Sequence, residues 1–151
     1  MSKVKVGLVG SQFISTIHAE SLKRVADAEI VAVASKTEEH VKTFAKQHNI
    51  PNYFTDYKKM LEMDEIDMVI IGAPNYLHAQ ITVDSAKAGK QIVCEKPLCM
   101  NLKEADLMID TCKKENVKLM YAEELCFTPK YVRLKQLVDE NALGDLYMIK
   151  Q

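Results

Sequence analysis

The sequence lacks the features that mark several classes of protein. Its four cysteines form no C-x-x-C pair, and no apolar run approaches the roughly 18 to 20 residues that a membrane-spanning helix needs. No apolar segment of signal-peptide type follows a basic region at the amino terminus. The four histidines are scattered, and none lies at ligand spacing from a cysteine, so no metal site is predicted. These absences favour a cytoplasmic protein with free thiols.

Neither sign of charge dominates. The chain has 20 Lys and Arg residues against 21 Asp and Glu residues, a formal net charge of −1. Such a chain has no overall field to attract nucleic acid or anionic lipid, so we expect neither nucleic acid nor a membrane as a partner. With 151 residues, of which 48% are hydrophobic and 27% charged, it has the composition of a globular domain with one sizeable core.

Short β-branched runs alternate with longer helical patterns along the whole chain. The predicted strands are 3–10, 29–35, 67–73, 91–95 and 117–122, and the predicted helices are 13–25, 37–48, 76–88, 102–115 and 128–140. Several strands are apolar at nearly every position, as expected where helices cover both faces of a parallel sheet. The alternation predicts an α/β fold with a doubly wound parallel sheet.

Asparagine and glycine residues mark predicted boundaries of the helices in this pattern. Asn75 and Asn101 are predicted to cap the third and fourth helices, and Gly89 is predicted to end the third. The final stretch, 142–151, reads ALGDLYMIKQ and resembles a turn followed by a new strand. We therefore expect a longer protein with a second domain.

The turn after the first strand reads GSQFIS, at the position where a dinucleotide-binding fold holds phosphate. Gly10 can make the tight turn. Gln12 stands where a second glycine would let the backbone approach a pyrophosphate, which is a departure from the motif. Ser15 replaces the glycine or alanine needed for close packing and is small enough for it. This segment is either a phosphate site at a helix amino terminus or a structural turn.

Two further turns follow predicted strands at the sheet edge where parallel folds bind ligands. In APNYLH, 73–78, Asn75 and His78 are either ligand contacts or merely a helix cap and its N3 residue. In CEKP, 94–97, Lys96 is either a donor for hydroxyls and a developing alkoxide or half of a solvated pair with Glu95. Cys94 and Cys99 are interpreted as buried apolar residues because no base partner is identifiable.

The end of the second predicted strand bears on which dinucleotide would bind. An acidic residue at this position accepts hydrogen bonds from the adenosine ribose of NAD, but the chain has Ser35 and Lys36 there. A hydroxyl and an ammonium suit a phosphate, which favours NADP and leaves NAD open. The alternative is a solvated loop in which Ser35 or Thr37 caps the next helix.

Taken together, the segments GLVGSQFISTIH, DEIDMVIIGAPNYLHAQ, AGKQIVCEKPL and FTPKY resemble a known family. It is the glucose-fructose oxidoreductase, inositol dehydrogenase and MocA (Gfo/Idh/MocA) family, and the resemblance is to its amino-terminal, Rossmann-type half. It implies a dinucleotide-binding domain over 1–124, with 125–151 forming a connecting helix and the first strand of a truncated substrate domain. In the family that second domain serves substrate binding and oligomerisation, so a homo-oligomer is an expectation for the longer protein.

The resemblance also implies roles for individual residues. Lys96 would contact the nicotinamide ribose and the reacting hydroxyl as the catalytic residue, with Glu95 supporting the lysine and the cofactor site. The cofactor would be flanked by Pro74, Asn75 and His78. Its pyrophosphate would lie at Gly10, Gln12, Phe13 and Ile14.

The implied activity is an NAD(P)-dependent dehydrogenase or reductase that acts on CH–OH groups of a sugar, cyclitol or related polyol. We expect the 151-residue chain to be inactive by itself, because the substrate surface would lie in the second domain. Glu124 and Cys126 depart from the asparagine and arginine of many family members. That departure, with Gln12, motivates the alternative of a non-catalytic nucleotide-sensing module.

Overall fold

All six strands of the sheet run parallel. The computed structural model describes residues 3–150, and the strands lie in the order β3-β2-β1-β4-β5-β6. Their bounds are β1 Val4–Val9, β2 Ala28–Ala34, β3 Asn52–Phe54, β4 Met68–Ile71, β5 Gln91–Glu95 and β6 Leu119–Ala122. This is the strand order of dinucleotide-binding Rossmann folds, and the predicted doubly wound α/β sheet is confirmed.

Helices connect the strands. Their bounds are α1 Phe13–Leu22, α2 Glu38–His48, α3 Tyr57–Leu61, α4 His78–Lys87, α5 Leu102–Lys114 and α6 Pro129–Asp139, with 3₁₀ turns at Asn75–Leu77 and Glu124–Phe127. Over residues 3–150, none of these helices combines the length and the apolar composition that a bilayer crossing requires.

The core lies on both faces of the sheet because successive strand residues point to opposite sides. On β4, Val69 and Ile71 belong to a buried cluster that includes Met108 of α5, whereas Ile70 belongs to a second cluster that includes Phe44 of α2. Val69 and Ile71 have no exposed surface. Helices covering both faces explain why β4 is apolar at every position.

The sequence patterns missed one strand and one helix. Strand β3 has three residues and pairs only with β2, at the edge of the sheet, and the Asn52 side chain donates to the Val31 carbonyl at 2.9 Å. Helix α3 is only five residues long, and the Asp56 carboxylate caps it by accepting from the Lys58 amide at 2.9 Å. Elements this short produce no clear hydrophobic period.

Two of the three predicted helix boundaries are confirmed. Asn101 caps α5 by accepting from the Glu104 amide at 3.1 Å, and Gly89 follows α4 with a φ of 72°. The Asn75 prediction is wrong: this residue begins a 3₁₀ turn, and the residue that precedes α4 is Leu77, which makes no side-chain cap. The 3₁₀ turn Asn75–Leu77 separates Asn75 from the start of α4 at His78.

The carboxyl-terminal part of the described chain packs loosely. No residue of α6 is buried, and residues 145–150 form no strand. The predicted strand in this stretch is therefore absent, because no neighbouring strand pairs with it. The side chains of Tyr147 and Met148 are 92% and 85% exposed. The division at residue 124 into two domains stays a prediction.

Substitution of Gly10 tests how closely the backbones of Gly10 and Gly72 approach each other. It has a φ of 119°, and a Cβ there would lie 2.5 Å from the Gly72 carbonyl oxygen, which as backbone cannot move away cheaply. The control is Gly89→Ala, where φ is 72° and a Cβ meets nothing within 4 Å. Urea denaturation should show that Gly10→Ala loses about 1–3 kcal/mol more unfolding free energy than Gly89→Ala. Equal losses would mean that the close approach of the two backbones is not tight in solution.

Candidate functional site

The turns that carry the predicted site residues lie at one edge of the sheet. Val9 is paired with Ala34 on one side and Ile71 on the other, and Ile71 is paired with Cys94, so these strands end at the same level. The predicted site residues lie at or beyond those ends: Gly10, Gln12, Phe13, Ile14, Ser35, Lys36, Pro74, Asn75, His78, Glu95 and Lys96. The fold therefore brings all eleven sequence-predicted residues to the crevice edge where parallel sheets bind ligands.

The turn between β1 and α1 is tightly packed. The Gly10 amide donates to the Ala34 carbonyl at 2.8 Å, and Ser15 is 2% exposed. A Cβ at Gly72 would lie 3.0 Å from the Ser15 hydroxyl oxygen. Ser15 thus occupies the position that needs a small residue, which explains why serine fits the turn.

Gln12 does not need the conformational freedom of glycine. It is the residue before α1, with φ −111° and ψ −163°, and its side chain is exposed. This is an extended backbone conformation that any residue adopts. The departure from glycine therefore leaves the backbone path of the turn intact.

The amino terminus of α1 is open to an anion. Gln12 makes no side-chain cap, and the first turn has no acidic residue. The first helical bond runs from the Thr16 amide to the Gln12 carbonyl, so the preceding amides have no partner within the helix. Within the same turn, the buried hydroxyl of Ser11 has no hydrogen-bond partner. Free amides and an unpartnered hydroxyl fit the oxygens of a phosphate group.

His78 joins two of the turns. It has no exposed surface, and its Nδ1 and Nε2 atoms lie 2.9 Å from the Pro97 carbonyl and 2.8 Å from the Ala73 carbonyl. A neutral imidazole has one N–H group and donates to one of these oxygens, whereas an imidazolium donates to both. His78 is thus a buried link between the turns after β4 and β5, not the plain N3 residue that the sequence allowed. Pro74 and Asn75 are exposed beside it.

Glu95 is held by a residue that the sequence analysis did not single out. The Glu95 carboxylate is 7% exposed; its Oε1 lies 2.7 Å from Nε2 of His18, and its Oε2 accepts from the Lys96 backbone amide at 3.1 Å. His18 lies one helical turn after Ile14 on α1, so the i, i+4 spacing from the phosphate turn was the signal that could have identified it.

The Lys96 side chain has a different partner from the one expected. Its ammonium Nζ lies 2.7 Å from Oε1 of Glu124, and both side chains are largely exposed. The expected support of Lys96 by Glu95 is limited to the main chain. The hydrogen bond to Glu124 is the main cause that raises the pKa of Lys96, and the same bond lowers the pKa of Glu124.

Ser35 and Lys36 follow β2 directly. The Ser35 amide donates to the Phe54 carbonyl at 3.0 Å, which fixes the start of the loop. Lys36 is exposed and makes no ion pair within residues 3–150, although Glu38 and Glu39 stand in the first turn of α2. Thr37 precedes α2 but makes no side-chain cap. The ammonium of Lys36 is therefore available to a ligand.

The cysteines are not arranged for nucleophilic chemistry. Cys94 has no exposed surface, and burial is the main cause that raises the pKa of its thiol to about 12. Cys126 is exposed, and its Sγ lies 3.0 Å from the Glu123 carbonyl. In the stretch from residue 3 to residue 150, no three His, Cys, Asp or Glu side chains are grouped so as to hold a metal ion.

Residues 4–123 match the family model described as "Oxidoreductase family, NAD-binding Rossmann fold". The chain is 33% identical over 144 residues to a trans-1,2-dihydrobenzene-1,2-diol dehydrogenase of Xenopus tropicalis, covering 95% of this chain and 43% of the relative. It is 34% identical over 133 residues to an NADP(+)-type scyllo-inositol 2-dehydrogenase of Bacillus subtilis, covering 88% of this chain and 40% of the relative.

A solved structure gives the same assignment. Scyllo-inositol dehydrogenase of Lactobacillus casei, with bound NAD(H) and scyllo-inositol, superposes with a TM-score of 0.90 at 26% identity, covering 95% of this chain and 43% of that chain. The chain thus spans less than half the length of these relatives. The strand order, the turn at Gly10 and the family match over residues 4–123 agree: the chain belongs to the Gfo/Idh/MocA oxidoreductase family, as its NAD(P)-binding Rossmann part.

Proposed function

We propose that the chain is the cofactor-binding part of an NAD(P)-dependent oxidoreductase that transfers hydride between nicotinamide and a CH–OH carbon of a sugar, cyclitol or related polyol. The observation that carries this proposal is the open turn between β1 and α1. Its helix start lacks a cap and an acidic residue, and the buried Ser11 hydroxyl beside it has no partner. A pyrophosphate would satisfy these groups, with Gly10, Gln12, Phe13 and Ile14 around it.

The nicotinamide end of the cofactor would lie toward the turns after β4 and β5. Pro74 and Asn75 are exposed there, and the buried His78 side chain links the two turns through its ring nitrogens. A bound nicotinamide ring supplies a two-electron hydride acceptor or donor. Lys96 contributes an ammonium that stabilises the negative charge developing on the substrate oxygen. Glu95 and His18 keep the Lys96 backbone in place.

We infer that NADP is the mildly favoured cofactor, with NAD also used. The support is the position of Ser35 and Lys36 directly after β2, where an NAD-selective fold has a carboxylate. The Lys36 ammonium makes no ion pair within the described residues, so it could meet a 2′-phosphate without breaking an existing contact. The relatives include an NADP(+)-type enzyme and a structure with NAD(H).

We further propose that 125–151 lead into a second domain that binds substrate and can form a homo-oligomer. The support is that α6 has no buried residue, and that Leu125 and Phe127 are 48% and 64% exposed before it. Apolar surface of this kind is typical of a face that another domain covers.

A cytoplasmic location and the absence of nucleic-acid and membrane partners are also part of the proposed function.

Calorimetry with NAD and NADP tests cofactor binding by the 151-residue chain. We expect a dissociation constant in the millimolar range or below for at least one of them. Gln12→Glu should weaken binding at least tenfold, about 1.4 kcal/mol, because it puts a carboxylate at the phosphate turn. Gln47→Glu is the matched control, since Gln47 is exposed on α2, and it should stay within about twofold. No heat with either dinucleotide would refute the proposal.

Cofactor preference is tested by replacing Ser35 with Asp and Lys36 with Gln in one variant. The new carboxylate should accept bonds from the ribose of NAD and repel a 2′-phosphate. The ratio of dissociation constants should move toward NAD by at least tenfold, about 1.4 kcal/mol. Lys42→Gln is the control for the Lys36 change, because it also removes one lysine charge, from an exposed position of α2. It should leave the ratio of the NAD and NADP dissociation constants unchanged. A wild-type chain that already binds NAD tenfold more tightly than NADP would contradict this reading.

The role of Lys96 is tested in the longer protein with a panel of polyols. Lys96→Ala should lower kcat by about 10²-fold or more, the lower range for a positioned acid-base group. Lys113→Ala is the control, because Lys113 is exposed in the last turn of α5, at the other end of that helix from the turn after β5. Steady-state kinetics that give Lys96→Ala a normal kcat would remove Lys96 from the mechanism.

A further inference from the structure

Lys96 and Glu124 come from neighbouring strands. Lys96 follows β5, Glu124 begins the 3₁₀ turn after β6, and Glu95 of β5 is paired in register with Ala122 of β6. Because the two strands are parallel, both residues leave the sheet at the same edge. The Nζ of Lys96 lies 2.7 Å from Oε1 of Glu124, a distance typical of a charge-assisted hydrogen bond.

Within residues 3–150, no other carboxylate lies within ion-pair distance of the Lys96 ammonium. Glu95 is adjacent in sequence, but its two oxygens are engaged by His18 and by the Lys96 backbone amide. Glu123 faces Lys96 only at longer range, as a charge without a hydrogen bond. Two glutamates therefore contact different parts of Lys96. Glu95 accepts from its backbone amide, and Glu124 accepts from its ammonium.

We propose that Glu124 is a positioning residue that holds the Lys96 ammonium by a hydrogen bond and orients it as a donor at the reacting centre. Lys96 then acts on the substrate oxygen as a hydrogen-bond donor. This inference depends on the proposed function for its catalytic meaning, while the pairing itself is a property of the chain without ligand.

The carboxylates around Lys96 all raise its pKa. Glu124 raises the pKa of Lys96 most, and the charges of Glu123 and Glu95 add to it, while desolvation opposes them. His18, the other titratable group nearby, contacts Glu95 and not the ammonium. A lysine with its ordinary pKa is already protonated at neutral pH, and the raised pKa of Lys96 extends that state to higher pH. Lys96 is therefore poorly suited to accept a proton from a hydroxyl.

The pair contributes little to folding, which makes it accessible to substitution. The Lys96 and Glu124 side chains are 46% and 59% exposed, and ion pairs in such settings are close to neutral for stability. Glu124→Gln removes the charge, preserves the shape and leaves the buried contacts of Glu95 in place. We therefore expect this variant to fold as the wild type does.

The test is a titration of the Lys96 amine in the 151-residue chain without cofactor. Lysines are dimethylated with ¹³C-formaldehyde, their methyl signals are followed by NMR as the pH rises, and Lys96 is assigned from its absence in Lys96→Arg. Glu124→Gln should lower the pKa of Lys96, and Glu124→Asp should restore part of the difference. Glu123→Gln is the matched control and should lower the pKa of Lys96 less.

Two results would overturn the proposal: a pKa of Lys96 that is the same in Glu124→Gln as in the wild type, or a fall no larger than that in Glu123→Gln. Because the titration uses no dinucleotide, its outcome is separate from that of the binding experiment. Failure to bind NAD and NADP would refute the proposed function and leave the Lys96 titration to be judged by itself.

Discussion

The parallel pairing of β1 with both β2 and β4 is the constraint on which the rest of the structure depends. Val9 is in register with Ala34 and Ile71, so the three strands end together. The pairing continues past the strand ends, since the Gly10 amide donates to the Ala34 carbonyl and the Gly72 amide donates to the Val9 carbonyl, both at 2.8 Å. The chain leaves β1 and β4 toward opposite faces of the sheet, and the gap between their turns is the crevice of such folds.

Buried polar contacts then fix the turns that this pairing brings together. His18 ties α1 to β5 through Glu95, and His78 ties the turn after β4 to the turn after β5 through the Ala73 and Pro97 carbonyls. Removing a partner from such a contact leaves a buried polar group unsatisfied, at a cost of about 1–3 kcal/mol each. The phosphate turn, through α1, and the turn after β4 are therefore each connected to the turn that carries Lys96.

The sequence predicted those parts of the molecule that have long or strongly apolar patterns. Five strands and five helices were found this way, and the three crevice turns followed from where the strands end. Strand β3 was missed because three residues at a sheet edge carry no period, and a final strand was expected where residues 145–150 have no partner to pair with. The spacing from Ile14 could have marked His18 as a site residue, but the partners of His18 and Glu124 could not be predicted. Each contact joins residues far apart in sequence: 77 positions for His18 and Glu95, and 28 for Lys96 and Glu124.

The two glutamates beside Lys96, Glu95 and Glu124, have different roles because one is buried and the other is exposed. Glu95 is buried and bonded on both oxygens, so its loss would disturb the fold, and its conformation is set by packing. Glu124 is exposed, and its contact with Lys96 contributes little to stability while water surrounds it. A bound cofactor and substrate would exclude that water and strengthen the attraction between the two charges. Of the two contacts, the one with Glu124 contributes less to folding in the free chain, and its energy would grow when the crevice is filled. This makes it suited to the proposed role at the reacting oxygen.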